Sequence, residues 1–351
     1  MSVTIKDVAR ESGFNVSTVS RALNGEYGVH NQTREHVIAV AERLHYRPNR
    51  VARGLVTGRS HTLGLVVSDI RNPFFAEVAR GAEDAAYRAG YDLVLCNSDL
   101  DPEKQLRYVQ SLVEKRVDGI LMNSVASLTR KQQDQLVGMG ATIVLLNRAA
   151  ARHAFSTISA DNEAGGALAA EYLLKLGHRH IAHLTGPRHH GNMTDRARGF
   201  VRALEAARNP ARPVILYGKN NFAGGVELAQ KLMAQHPDVT AAFVGSDTMA
   251  FGVMRALMEA GHRIPRDVSV IGFDNVELAS IAHPPLTTIH QPKYEIGQAA
   301  VEILLRLAGH SEYRVPEHRL FGVHLVERES CCECGRASPA ETRRHGGNAE
   351  S

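Results

Sequence analysis

Two groups of residues in this 351-residue chain have types and spacings that could do chemistry. The first is a run of short polar side chains closed by a guanidinium, Val16-Ser17-Thr18-Val19-Ser20-Arg21. Hydroxyls both donate and accept, and an arginine presents a planar fork of donors, so such a run can read base edges or phosphate oxygens. The second is a set of carboxylates, amides and arginines, most of them directly after a short apolar run. It comprises Asp69 and Asn72 beside Phe74 and Phe75, then Asn123, Arg148, Arg196, Phe222, Asp247, Asp274 and Gln291. Carboxylates and amides accept paired hydrogen bonds from vicinal hydroxyls, and arginine donates them. An aromatic face covers the C–H side of a sugar ring, so this chemistry suits a small polyhydroxy ligand.

The first group needs a helix to present it. Thr4 is a good N-cap, with Asp7 placed to face the helix N-terminus. Ile5, Val8 and Ala9 share one face, and Ser12-Gly13 breaks the pattern. Asn15 can cap a second helix from about Val16 to Leu23, with Val19, Ala22 and Leu23 buried. Val16, Ser17, Ser20 and Arg21 then point outward, and Asn24-Gly25 ends the helix. A third helix is expected from about Gln32 to Leu44. Two helices joined by a Gly-containing turn, with small polar residues and an Arg on the second, form the helix-turn-helix pattern. The competing reading is a generic helical hairpin with a solvated face.

Charge placement supports the first reading. Residues 1–60 hold nine Lys/Arg against five Asp/Glu, a net of 9 − 5 = +4, and the rest of the chain holds 32 of each sign. The excess positive charge therefore sits where phosphate contact requires it. The N-terminus runs straight into a capped, charged helix, and no apolar run approaches the roughly 18 residues needed to cross a bilayer. The four Cys make no disulfide framework in a chain this long, and a cytoplasmic location fits these features.

The second group needs strand ends. From about His61, short apolar runs alternate with amphipathic helices. TLGLVVSD, YDLVLCNS, DGILMNS and ATIVLLNR read as buried strands, with helices over 73–89, 102–115 and 130–139 between them. HIAHLTG, PVILYG, AAFVGS and VSVIGFD form a second set, with helices over 163–176, 195–206, 223–235 and 249–260. Repeated twice, this alternation implies two doubly wound parallel-sheet lobes after an all-α headpiece. Ligands in such sheets sit at the carboxyl ends of the strands.

The motifs TIKDVARESG, TVSRALNG and YRPNRVARGL, in this order, resemble the headpiece and hinge of the LacI/GalR family of transcriptional regulators. The resemblance continues to about Arg328. It implies a headpiece over 1–47, a hinge over 48–59 and a periplasmic-binding-protein-like effector and dimerisation domain over 60–330. Lobe one would cover about 60–160 and 290–320, and lobe two about 161–289 and 321–330. By the same resemblance Val16, Ser17 and Arg21 read the major groove, and Leu55, with Ala52 one turn back, wedges into the minor groove. Thr4, Thr18, Ser20, Asn24, Asn31, Tyr46, Asn49, Arg50 and Arg53 complete the expected DNA contacts. Gly54 weakens an already short hinge helix, so residues 49–56 are expected to fold only on the operator. Arg196 and Asp274 match the family's effector contacts, while Ser246 stands where sugar-responsive relatives often carry a longer polar residue.

The partners implied are double-stranded operator DNA, a second copy of the chain and a small-molecule effector. HTLGLVVSDIRNPFFAEVARGAEDA and NVELASIAHPPLTTIHQPK look most like the ribose-responsive branch, which favours a pentose or pentitol that releases a repressor of a carbohydrate-utilisation operon. The alternative is a corepressor of the purine or phosphorylated-metabolite class. A solute-binding protein would lack the headpiece. An enzyme is disfavoured, since no G-x-G-x-x-G follows a strand and neither G-x4-G-K-[ST] nor G-x-S-x-G occurs. Asp69, Asp247 and Asp274 could be paired catalytic carboxylates, but binding explains them without chemistry. No cofactor is expected. No metal is expected either: His178, His180, His183, His189 and His190 show no helical ligand spacing, and Cys331, Cys332 and Cys334 supply at most three ligands. Residues 331–351 lack apolar periodicity and are expected to be a disordered tail.

Overall fold

The computed structural model describes residues 3–47, 58–123, 130–147, 155–209, 212–309 and 316–335. The chain divides into two compact units, Met1–His61 and Thr62–Ser351.

The first unit contains helices α1 (Ile5–Ser12), α2 (Val16–Asn24) and α3 (Asn31–Arg43). At the start of α1 the Asp7 carboxylate accepts both the Thr4 N–H (2.9 Å) and the Thr4 hydroxyl (2.7 Å). The turn to α2 passes through Gly13 at φ 74°, a left-handed conformation that glycine adopts without a Cβ penalty. Asn15 caps α2 by accepting the Thr18 N–H at 2.8 Å. Val8, Ala9, Val19, Ala22, Val37, Val40 and Ala41 form the core, with Leu23 and Leu44 packed against it. Alternating apolar faces in three short helices thus bury one common centre.

The second unit is built on two six-stranded sheets. The strands are β1 (Thr62–Val67), β2 (Asp92–Asn97), β3 (Gly119–Asn123), β4 (Ile143–Leu146), β5 (Ser156–Ala160), β6 (Ile181–Thr185), β7 (Val214–Tyr217), β8 (Ala241–Val244), β9 (Ser269–Asp274), β10 (Thr287–His290), β11 (His318–Phe321) and β12 (His324–Val326). One sheet has the order β11-β5-β4-β3-β1-β2 and the other β12-β10-β9-β8-β6-β7. All pairings are parallel except β12 against β10. The central strands are buried along their length, as sheets covered on both faces require.

Helices α4 (Pro73–Arg88), α5 (Pro102–Glu114) and α6 (Arg130–Gly138) belong to the first lobe. Helices α7 (Asn162–Lys175), α8 (Gly191–Ala206), α9 (Phe222–Gln235), α10 (Asp247–Glu259) and the short α11 (Leu278–Ile281) belong to the second. Helix α12 (Lys293–Gly309) leaves β10, crosses back, and packs on α4 and on β3, β4 and β5 of the first sheet. Two paired helices approach at backbone distance: a Cβ on Gly199 of α8 would meet the Glu163 carbonyl oxygen of α7 at 1.8 Å.

Three features differ from the sequence reading. STISA, TTIH, HRLF and HLV are strands β5, β10, β11 and β12, although their hydroxyl-rich or charged composition disguises them. Helix α8 begins at Gly191 rather than Asp195. The packed chain also runs past residue 331, the expected start of the tail, where the Cys332 N–H donates to Ser269 Oγ at 3.1 Å. Ser330 is fully buried and its hydroxyl donates to the Val270 carbonyl at 2.6 Å. Val270 N–H donates to the Ser330 carbonyl (2.8 Å) and Cys334 N–H to that of Leu176 (2.8 Å). Backbone pairing, not apolar periodicity, orders this stretch.

Candidate functional site

On the first unit, α2 presents the expected reading surface. Val16 is 41% exposed, Ser17 and Arg21 are exposed, and Thr18 and Ser20 are half-buried at its edges. Ser17 donates to Asn15 Oδ1 at 2.7 Å, and Asn24 Nδ2 reaches Ser20 Oγ at 3.4 Å. Three other arginines of the helices are engaged: Arg10 pairs with Asp7 at 2.9 Å, Arg43 with Glu11 at 2.8 Å, and Arg34 donates to the Glu26 carbonyl at 2.9 Å. Among the described residues Arg21 has no ion-pair partner, so the guanidinium on the outward face of α2 is available to an external acceptor. Asn31 is exposed at the start of α3. Tyr46 packs against the helical core, and burial raises its phenol above the ordinary value. Thr4 is committed to Asp7, whose carboxyl these bonds hold below the usual range. Asn49, Arg50, Ala52, Arg53 and Leu55 lie outside the described residues, as does Arg148 of the second group.

In the second unit a cleft opens where the carboxyl ends of both sheets converge. It encloses about 560 Å³ including its mouth. The first lobe supplies Ser68 after β1, Asn72, Phe74 and Phe75 at the start of α4, Asn123 at the end of β3 and Asn147 after β4. The second supplies His190 to Met193 and Arg196 from α8 and its approach, with Asn220 and Asp274; Gln291 enters from the crossover. Asn72 caps α4 through the Phe74 N–H (3.0 Å) and accepts the Thr248 hydroxyl of α10 at 3.5 Å, a contact between the lobes. Phe74 and Phe75 meet edge to face at 5.0 Å and are only 3% and 7% exposed, so they are core residues that also wall the cleft. Asn123 donates to Ser68 Oγ (2.9 Å) and accepts from Asn147 Nδ2 (3.3 Å).

The charged centre is buried. Arg196 Nε donates to Asn162 Oδ1 at 2.9 Å, Nη1 donates to the Gly245 carbonyl, and the guanidinium lies 3.5 Å from the centroid of the Phe273 ring. Its Nη2 stands 3.8 Å from Asp274 Oδ1. Burial lowers the Arg196 pKa to about 10, against the opposing pull of Asp274, and leaves the group cationic at neutral pH. Asp274 Oδ1 accepts from Gln291 Nε2 at 2.5 Å. Desolvation raises the Asp274 pKa, while Arg196 and Lys293 pull it down. The Gln291 Oε1 is buried without a hydrogen-bond partner among the described residues.

Asn72, Phe74, Phe75, Asn123, Arg196, Asp274 and Gln291 are thus brought together. Three other expected residues are placed elsewhere. Asp69 is clamped by Arg71 through Nε and Nη2, both at 2.9 Å, and by the Arg71 N–H at 3.0 Å. Asp247 is fully buried; it accepts the Thr288 hydroxyl (2.5 Å) and the Val276 N–H (2.8 Å), and so pins the chain after β9. Burial, then the neighbouring Asp274, raises its pKa. Phe222 opens α9 and is 47% exposed, away from the cleft lining. The sequence reading missed Ser68, Leu100, His190, Asn192, Met193 and Asn220. Their only signal was position just beyond a strand, which many loop residues share. Ser246 caps α10 and donates to Asn220 Oδ1 at 2.7 Å, so its role is structural support of a cleft residue.

Comparisons with known proteins match both units. Residues 4–49 match the bacterial regulatory proteins of the lacI family, and residues 170–331 match a periplasmic binding protein-like domain. The HTH-type transcriptional repressor PurR of Vibrio cholerae serotype O1 (strain M66-2) is 41% identical over 332 residues, 93% of this chain and 97% of that protein. The lac repressor dimer bound to operator and the anti-inducer ONPF superposes with a TM-score of 0.84 at 29% identity, over 95% of this chain and 100% of the other. A LacI family regulator from Enterococcus faecium with bound ribose gives 0.70 at 32% identity, over 78% and 99%. Headpiece, lobes and relatives agree along nearly the full length, and the chain belongs to the LacI family of DNA-binding transcriptional repressors.

Proposed function

We propose that this repressor controls a carbohydrate-utilisation operon and is released from a pseudo-palindromic operator by a small sugar or polyol, with a pentose or pentitol favoured. It acts as a dimer, so that two headpieces meet two half-sites related by the protein's own two-fold axis. The observation that carries the reading is the cleft lining. It holds the amides of Asn72, Asn123, Asn147, Asn192, Asn220 and Gln291 and a buried Arg196–Asp274 pair. Amides and a carboxylate matched to a guanidinium suit several hydroxyls at once. The ribose-bound relative supports a ligand of that size.

The alternative, a purine or phosphorylated metabolite acting as corepressor, is favoured by the higher identity to repressors called PurR than to the ribose-bound regulator, 41% against 32%. On either reading the effector changes the lobe angle and, through it, the affinity for DNA by a coupling free energy. Thermal unfolding against pentoses, pentitols, hexoses, sugar phosphates and purines separates the readings. A ligand at 100 times its Kd adds about 2.7 kcal/mol and raises the midpoint. A pentose or pentitol response supports the sugar reading; a response to purines alone replaces it with the corepressor. Adding the responding compound to an operator titration then gives the sign of its effect.

A further inference from the structure

Two consecutive non-glycine residues at the end of β9 hold positive φ, Asp274 at 115° and Asn275 at 52°. Asparagine tolerates the left-handed region, but 115° lies outside it for any residue with a Cβ. Such a turn persists only where its neighbours over-determine it. Here they do. Asn275 Nδ2 meets His290 Nδ1 at 3.0 Å, its Oδ1 accepts from Arg328 at 2.7 Å, and Asp247 holds the next N–H, that of Val276. Both turn carbonyls point at one ammonium: Lys293 Nζ donates to the Asp274 oxygen at 2.7 Å and to the Asn275 oxygen at 2.9 Å.

Lys293 is badly placed for stability on its own account. It is only 7% exposed, and burying an ammonium is costly. It also opens the 17-residue helix α12, where the helix dipole disfavours a cation. What it does is join two bodies. Helix α12 packs on α4 and on the first sheet, whereas Asp274 ends a strand of the second.

We propose that Lys293 is a positioning residue for the effector cleft: by drawing both carbonyls of the Asp274–Asn275 turn toward α12, it aims the Asp274 carboxylate into the cleft and ties that aim to the lobe crossover. The inference rests on the reading of the cleft as the effector site. Through this contact a ligand held by Asp274 senses lobe angle, and lobe angle sets the presentation of Asp274.

Crystal structures of full-length Lys293→Met and Lys293→Arg proteins test it. Met keeps the length and removes the donors; Arg keeps a charge and donors. In the Met protein Asp274 should leave its φ of 115° and the Asp274–Gln291 hydrogen bond should break, while Asn275 stays held by His290 and Arg328; the Arg protein should keep the turn and the bond. A Met protein that retains the turn and that bond overturns the proposal. If Met prevents folding, Lys293→Gln, which can satisfy only part of the turn, is judged by the same two features. Binding gives a second arm, with D-ribose and hypoxanthine as probes. Whichever shifts the wild type should bind the Met protein at least roughly tenfold more weakly and the Arg protein nearly as well. A lowered melting midpoint with unchanged affinity would make Lys293 merely structural and overturn the proposal. If neither probe shifts the wild type, the effector reading loses its support while the crystallographic arm still decides the role of Lys293.

Discussion

Replacing Arg196 by Met keeps an unbranched apolar stem and removes every donor, together with the guanidinium that lies on the Phe273 ring. Three acceptors then change state together: Asn162 Oδ1 and the Gly245 carbonyl lose their hydrogen bonds, and Asp274 loses its guanidinium at 3.8 Å. A buried acceptor left unsatisfied costs about 1–3 kcal/mol, and breaking a buried ion pair about 3–5 kcal/mol. These terms overlap, because Asp274 keeps Gln291 and Lys293 nearby and can take up a proton. A net loss of about 4 kcal/mol follows, read as a fall of roughly 6–8 °C in a unit of this size. Urea unfolding of the wild type, Arg196→Met, and Arg196→Met combined with Asp274→Asn is the assay. The single variant should lower the midpoint with the slope unchanged, and the double variant should recover part of the loss by removing the unpaired carboxylate. A single variant within about 1 kcal/mol of wild type, or a double variant whose losses simply add, would refute the view that Arg196 and Asp274 act as one buried unit.

Arg21→Ala should weaken operator binding by about 1–3 kcal/mol if the guanidinium takes a guanine edge, while effector-induced thermal shifts stay unchanged; a phosphate role would instead flatten the salt dependence. Gly199→Ala places a Cβ 1.8 Å from the Glu163 carbonyl oxygen and must force α7 and α8 apart, so a lowered melting temperature is expected, at a cost of about 1–3 kcal/mol or more. His183 is fully buried against Phe243 at 4.4 Å, and desolvation lowers its pKa from 6.5 to about 3. The unfolded chain therefore binds a proton there that the native state refuses, so this contribution is present above pH 6.5 and is lost as pH falls toward 3. Urea midpoints measured down that range should fall more steeply for wild type than for His183→Leu, and parallel curves would count against the burial argument.

Local chemistry determined much of this protein. Apolar spacing placed the three headpiece helices, Asn15 and Gly13 marked their boundaries, and the outward run from Val16 to Arg21 was legible because a helix of period 3.6 leaves only one face free. Eight of the strands announced themselves as apolar runs, since a sheet covered on both faces demands them. What tertiary structure alone decided was how polar groups were shared out. Asp69, Asp247 and Asp274 are the same residue type in similar strand-end positions. Arg71 claimed the first, while Val276 and Thr288 claimed the second. Asp274 kept an aim into the cleft because a distant lysine, some twenty residues on, holds its backbone. Strands β5 and β10 and the stretch reaching Cys334 were hidden for a related reason: their order comes from backbone hydrogen bonds to chain segments remote in sequence, and such bonds leave no pattern in side-chain type.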